Sequence, residues 1–233
     1  VNRYQSESDG FILHRRNYGE TSKIISVLTQ AYGRVDILCK GCRSSGRKNR
    51  ILEPFRCYNL RWSGRSGLKT LRQYDEMAIY PLSSEQQRLY CGLYLNELLL
   101  SIIRVNEAEP RLFALYDTAL AELTHCDKEH IAPLLRLFEI NLIRLMGYGV
   151  ELTVERDGKT PVEDDTAYAF TVEQGFYRCD IEQNTAIHGD TLVALTSGRF
   201  SNERQLREAK RFTRSLINYY LPNCSIQSRK LFG

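Results

Sequence analysis

Nowhere in the 233 residues does an apolar run approach the roughly 18 to 20 positions that a membrane span requires, and no charged segment followed by an apolar one opens the chain. A soluble, unexported, cytoplasmic protein without a membrane partner is expected. Internal repeats and low-complexity tracts are missing too. So are the usual catalytic signatures: there is no G-x-S-x-G, no Walker A loop and no H-E-x-x-H. The four histidines, His14, His125, His130 and His188, are scattered, and none stands at metal or triad spacing from an acid. Without a recognisable nucleophile, base and stabiliser, the expectation is that this protein is not an enzyme.

Paired cysteine spacing is also scarce. Seven cysteines, an odd number, argue against a disulfide framework and for a reducing compartment. Cys39 and Cys42 form C-x-x-C, but Cys57, Cys91, Cys126, Cys179 and Cys224 supply no second close pair for a tetrahedral zinc site, so no metal or cofactor is expected. The acids Glu163, Asp164 and Asp165 offer oxygen ligands from one turn, whereas hard cations need ligands converging from several segments.

What the chain does have is an uneven distribution of charge. Residues 1–80 hold fifteen Lys and Arg against seven acids, a net +8; 81–150 carry −3, 151–190 carry −7 and 191–233 carry +6. A cationic module of this kind attracts polyanions; a solvated charged face is the alternative. The densest part is "KGCRSSGRKNRILEPF", Lys40 to Phe55. Three readings compete for it: a metal knuckle, a disordered surface loop, or a flexible cationic loop that meets phosphate.

Up to residue 80 the pattern is strands. "GFILHRRNY", "SKIISVLTQAYG", "RVDILCKG", "CYNLRWSG" and "LKTLRQYDEMAIY" are short, rich in β-branched and aromatic residues, and separated by Gly, Ser or charge. Val35, Ile37 and Cys39 alternate with Arg34, Asp36 and Lys40, and Tyr58, Leu60 and Trp62 with Asn59 and Arg61, giving one apolar and one wet face. Five short strands suit a small closed barrel such as the OB-fold, whose exposed strands bind single-stranded nucleic acid. The candidate DNA contacts are Arg15, Arg16, Arg34, Lys40, Arg43, Arg47, Lys48, Arg50, Arg65, Lys69 and Arg72, with Tyr18, Tyr32 and Tyr74 as stacking platforms.

After Pro81 the period becomes helical. Leu89, Leu93, Asn96, Leu99/Leu100 and Ile103 share a spacing, with Ser83 and Gln86 as a capping box. Helices are predicted over "PRLFALYDTALAELTH" and "IAPLLRLFEINLIRLMGYG", the latter stopped by Gly147 and Gly149. A last helix begins at the cap Asn202, with Leu206, Phe212, Leu216, Tyr219 and Tyr220 inward and Arg204, Arg207, Lys210, Arg211 and Arg214 outward or flanking. Residues 151–190 read as acidic, turn-rich small strands.

The runs "GFILHRRNYGETSKIISVLTQAYGRVDILCKGCRS", "LEPF", "GLKTLRQYDE", "LYCGLYLNELL", "RLFEINLIRLMGYGV", "EAKRFTRSLINYYL" and "SRKLF" resemble, in order and nearly end to end, the bacterial RecO recombination mediators. The resemblance implies an α+β multidomain protein: an OB-fold barrel over 1–80, a helical domain over 81–150 plus 191–233, and a small inserted, zinc-finger-like subdomain over 151–190. It implies binding of single- and double-stranded DNA, annealing of complementary strands, association with RecR, and help to RecA in displacing single-strand-binding protein. By position, Arg34, Lys40, Arg43 and the basic residues to Arg50 become the DNA surface. Arg136 is expected to receive the acidic C-terminal tail of single-strand-binding protein between Leu93, Leu135 and Phe138, an ion pair with Glu139 being the alternative. The zinc cysteines of many family members are reduced to Cys179, so the zinc role does not transfer, and packing of Val150, Leu152, Tyr168, Phe170 and Phe176 must replace it. Two other functions stay open: a protein-docking adaptor with incidental DNA contact, and a metal-dependent nuclease using Glu163, Asp164 and Asp165.

Overall fold

A computed structural model describes residues 5–42, 52–64, 67–180, 185–222 and 226–232. The fold is α+β and falls into two compact units, one of residues 1–124 with 225–233 and one of residues 125–224.

The first unit opens with five strands, β1 (Gln5–Tyr18), β2 (Ser22–Thr29), β3 (Gly33–Cys39), β4 (Arg56–Ser63) and β5 (Lys69–Ile79), closed into a barrel in the order β1-β2-β3-β5-β4. β1 pairs antiparallel with both β2 and β4, and closure comes from a short parallel contact of Ile37 and Leu38 with Lys69 and Thr70. The alternation read from the sequence holds: Val35, Ile37, Cys39, Tyr58, Leu60 and Trp62 join Ile12, Ile25 and Val27 in one buried cluster.

Alternation fails in β1, where Phe11, Ile12 and Leu13 are all buried. A register shift lies between Ile12 and His14, and the outer face of the strand is covered by helix. Helices α1 (Gln86–Ile102) and α2 (Pro110–His125) supply that cover. The Phe11 ring meets Phe113 and Tyr116 at 5.0 Å, Asn96 Nδ2 donates to the Leu13 carbonyl at 3.1 Å, and the Tyr116 hydroxyl donates to Asn96. Buried on most sides, α1 shows Cys91, Tyr94, Leu95 and Leu98 inward besides the expected Asn96 and Leu99. Its cap is Glu85, not Ser83, because Leu82–Ser84 form a 3-10 turn of their own.

The segment after α1 returns along β3, Asn106 N donating to the Arg34 carbonyl at 3.0 Å. Gly33 makes this approach possible: its φ is +66°, and a Cβ there would overlap the Glu107 carbonyl oxygen. A terminal 3-10 turn, Gln227–Phe232, is tied to α1 by Ser228 N, which donates to Glu97 at 2.8 Å.

The second unit comprises α3 (Lys128–Leu145), a sheet of β6 (Ala167–Thr171), β7 (Gly175–Arg178) and β8 (Ile187–His188) in the order β7-β6-β8, then α4 (Gly189–Ser197) and α5 (Glu203–Tyr220). The sequence reading missed α4. Helix α5 is capped as expected, Asn202 accepting from Gln205 N, but Leu206 is half-buried and Tyr219 exposed, so the inward stripe runs through Gln205, Glu208, Ala209, Phe212, Thr213, Leu216 and Ile217.

The acidic segment is not packed by itself. Val150, Leu152, Tyr168 and Phe176 are buried, and Phe170 and Phe176 meet Phe212 of α5 at 5.2 and 5.5 Å. Nothing in these strands supports the zinc-finger likeness. The expected helical domain is divided between the units, since α1 and α2 cover the barrel while α3 packs with α5. Among the described residues no helix is long and apolar enough to cross a membrane.

Candidate nucleic-acid interface

Adjacent residues on a strand point to opposite faces, so the run of cations on β1 is split. Arg15 is half-buried, with Nη1 donating to the Leu52 carbonyl at 2.9 Å, whereas Arg16 is exposed. With Tyr18, two residues on and 52 % exposed, Arg16 lines an open groove of about 350 Å³ with Ile24, Asp36, Gly67, Leu68, Val105 and Asn106. Asp36, the acid in this groove, accepts from Ser26 Oγ at 2.7 Å.

Three of the expected DNA contacts, Arg16, Lys40 and Arg72, are exposed, and none forms an ion pair with a described residue. Arg72 Nε donates to Ser63 Oγ at 2.7 Å. Three others serve the fold. Arg15 is held by Leu52. Arg34 reaches the Leu100 carbonyl at 3.3 Å and stands 3.8 Å from Asp36, while its Nε is buried without a hydrogen-bond partner. Lys69 is 8 % exposed: it registers with Ile37, whose side chain points into the barrel, and that placement takes its stem out of water. Arg43, Arg47, Lys48, Arg50 and Arg65 lie outside the described residues.

Two other barrel arginines are neutralised. Arg56 bonds Glu76 at 2.6 Å and Glu53 at 2.8 Å, and Arg61 bonds Glu7 at 3.0 Å. The hydrogen bond to Glu76 holds the Arg56 guanidinium above its ordinary value. Among the aromatic candidates, Tyr74 packs edge-on against Tyr58 at 5.6 Å and Tyr32 against Trp62 at 5.3 Å, so Tyr18 is the one with most of its surface in water. The sequence reading did not find the groove residues Leu68, Val105 and Asn106. Only the positive φ of Asn106, a turn-favouring residue type, left a trace there.

Cys39 and Cys42 are joined by a disulfide, a single local pair rather than a framework, which the cysteine spacing did not predict and which takes both sulfurs from a metal knuckle. Cys57, Cys91, Cys126 and Cys179 form no disulfide with a described residue, and burial, then Asp9 and Asp117, push the Cys57 thiol up to about 12. Among the described residues no group of three or more His, Cys, Asp or Glu is placed to hold a metal ion, and Glu163 is engaged by Arg178 at 2.7 Å.

The expected partner pocket looks different in the structure. Arg136 is buried, bonds Glu139 at 2.8 Å and donates to Thr213 Oγ1 at 3.1 Å; Thr213 in turn donates to Glu139. Leu135 and Phe138 are also buried, and Leu93 is half-buried on α1 of the other unit. Arg136 is thus a buried network residue paired with Glu139, not a surface cation. Burial, then Arg214 and Arg136, press the neighbouring Lys210 ammonium below its ordinary value. Other α5 cations are engaged locally, Arg204 by Asp190 and Glu208, Arg207 by Glu203 and Arg211 by the Ala186 carbonyl.

The fold and this surface define an α+β protein with a closed five-stranded barrel bearing exposed cations that no described acid pairs. Residues 4–80 match the family description "Recombination protein O N terminal" and residues 84–230 match "Recombination protein O C terminal". Proteins named DNA repair protein RecO are similar over nearly the whole chain. The one from Pasteurella multocida is 39% identical over 226 residues, 96% of this chain and 92% of its own length. Those of Haemophilus influenzae and Vibrio cholerae are 37% and 38% identical, covering 96% and 97% of this chain and 94% of their own lengths. The chain belongs to the RecO family.

Proposed function

We propose that this protein acts in DNA repair and recombination as a non-catalytic mediator. Its barrel, read as an OB-fold, binds single- and double-stranded DNA through phosphate contacts and lets complementary strands anneal. With RecR it helps RecA load onto DNA coated with single-strand-binding protein. Family membership supports the repair role. The observation that carries the DNA reading is the trio Arg16, Lys40 and Arg72, exposed and without an acid partner among the described residues, on a barrel whose Arg56 and Arg61 are neutralised. Backbone contacts of this kind screen repulsion between two strands while leaving base edges free to pair.

The test is charge reversal of Arg16, Lys40 and Arg72 to Glu, and separately of Arg43, Arg47, Lys48 and Arg50. Single-strand affinity as a function of salt and the rate of annealing are the readouts. For every phosphate that a reversal leaves unneutralised, the slope of log affinity against log salt should fall by about 0.7 for single strands. Binding that does not respond to salt or to either set of reversals overturns the reading. A docking adaptor is favoured by the exposed Met77 and Ile79 on β5, and it is what remains if annealing and RecR binding both survive the reversals.

A further inference from the structure

The groove beside Arg16 is built by strand register. Arg16 of β1 stands opposite Ile24 of β2, and Tyr18 lies two residues on from Arg16. Asp36 of β3 stands opposite Ser26, two residues on from Ile24. Alternation sends these side chains outward, away from the interior cluster of Ile25, Val27 and Ile37. A further wall comes from the segment after α1, where Val105 bridges to Arg34 and Asn106 N donates to the Arg34 carbonyl. Gly67 and Leu68 complete the lining. Ile24 faces outward and is nevertheless only 3 % exposed, so it forms a sheltered apolar floor.

Three kinds of group therefore converge there. Tyr18, Val105 and Leu68 offer exposed aromatic and apolar surface. Arg16 offers an exposed cation that no described acid pairs. Asp36 offers an acceptor: Ser26 Oγ donates to its Oδ1, Arg34 stands 3.8 Å from that same oxygen, and no described hydrogen bond reaches Oδ2. The volume of about 350 Å³ falls in the range of small-ligand sites, and an aromatic wall with a few polar groups suits a planar heteroaromatic ring.

We propose that this groove seats one nucleobase of a bound single strand and favours a base with an exocyclic amino group, such as cytosine, over uracil or thymine. The proposal rests on the reading that the barrel binds single-stranded DNA. A carboxylate beside a polyanion repels phosphate and weakens binding unless a donor meets it. Asp36 thus points to a base edge, and a carboxylate accepting from the N4 amino group of cytosine is a recognised pairing. Uracil and thymine present the O4 acceptor at that position, which leaves the carboxylate facing a second lone pair. Tyr18 stacks on the base, as aromatic platforms do for single strands, and Arg16 takes a flanking phosphate. Capturing one base leaves its neighbours free to pair, so annealing is compatible with this site.

The test compares the full chain's affinity for fluorescent homopolymers of deoxycytidine and of deoxyuridine, equal in length, at mildly alkaline pH where cytosine is unprotonated. The two bases differ at the amino group and the adjoining ring nitrogen, and neither carries a methyl group. One charge-assisted hydrogen bond gained against one lone-pair clash predicts a cytosine strand bound about three- to tenfold more tightly. Asp36→Asn, checked for folding by thermal melting, turns one acceptor into a donor and should bring the two affinities to within about twofold or invert them. Tyr18→Ala should weaken both strands alike, by about fivefold or more. A strand of N4,N4-dimethyldeoxycytidine removes both donors from the base while the protein stays unaltered, and should bind like the uridine strand even if a variant fails to fold. Equal affinity of the unaltered protein for the cytidine and uridine strands overturns the proposal, as does tighter binding of uridine. A cytidine preference that survives both Asp36→Asn and dimethylation overturns it too. If neither strand binds at all, the DNA reading itself falls, a result told apart from the others by the absence of any affinity to compare.

Discussion

Replacing Glu139 by alanine removes the acid that neutralises a cation inside the second unit. Arg136 and Glu139 side chains are 7 % and 0 % exposed, their nitrogen and oxygen are 2.8 Å apart, and Thr213 Oγ1 bridges them from α5. Without Glu139 the guanidinium stays buried, with Lys210 and Arg214 adding like charge. Breaking one half of such a pair costs about 3–5 kcal/mol, most of it from the uncompensated charge that remains. In a unit of about 100 residues, each kcal/mol lowers Tm by roughly 4–8 °C, so a loss of more than about 10 °C is expected. Arg136→Ala should cost a comparable amount, because it strands a carboxylate with no access to water.

Removing both charges together, as Arg136→Met with Glu139→Leu, should restore most of the stability, because neither ion is then desolvated. The assay is urea and thermal unfolding of the two single variants and the double variant, followed by circular dichroism, with binding of an acidic, carboxylate-ended peptide measured alongside. The reasoning is refuted if Arg136→Ala melts like the unaltered protein and loses only peptide binding. Arg136 would then be the docking cation that its sequence context first suggested.

Gly33→Ala should destabilise the first unit by about 2–4 kcal/mol in urea unfolding, since it combines a left-handed backbone with overlap on the Glu107 carbonyl. Gly19→Ala, at φ +59° with nothing described within 4 Å of the new Cβ, should cost only about 1 kcal/mol and serves as the control. The second unit should also lose stability in acid. Burial disfavours the charge of Glu208, but bonds from His188 N, Thr191 and Arg204 outweigh it and hold the carboxyl below its ordinary 4.5; bonds from Arg204 and Gln205 likewise hold Asp190 below 3.8 despite burial. A depressed folded value stabilises fully above the ordinary value and is lost as pH falls through the folded one, so melting temperature should fall as pH drops below about 4.5. Glu208→Gln should start less stable at pH 7 and show a shallower fall; equal slopes would refute the assignment.

Where one physical signal dominates, the sequence is readable. All five barrel strands were legible because period-2 alternation over a buried interior leaves an unmistakable trace, as in Val35, Ile37 and Cys39. The trace fails in β1, where helix cover on the outer face makes Phe11, Ile12 and Leu13 buried alike and a register shift breaks parity. Helix α4 was not legible because nine residues give little periodicity, and its start, His188, carries no side-chain capping bond. The Cys39–Cys42 bond was hidden for a different reason: an odd cysteine count describes a framework, whereas a single local pair is decided by turn geometry at Gly41.

Charge was the least legible quantity, and its correction bears on how the barrel meets DNA. A net +8 over residues 1–80 suggests a broad positive field. Yet Arg56 and Arg61 are neutralised, Arg15 and Arg34 are held by carbonyls, and Lys69 is buried. Of the expected DNA cations, Arg16, Lys40 and Arg72 remain, together with the five outside the described residues. If each neutralises one phosphate, the salt slope for a single strand reaches about 6. Because adjacent strand positions face opposite ways and ion pairs take the outward ones, sequence counts overstate the usable charge. A measured slope well above 6 would therefore require cations beyond these eight, and Lys210 and Arg214 of α5, which no described acid pairs, are among those to reverse in that event.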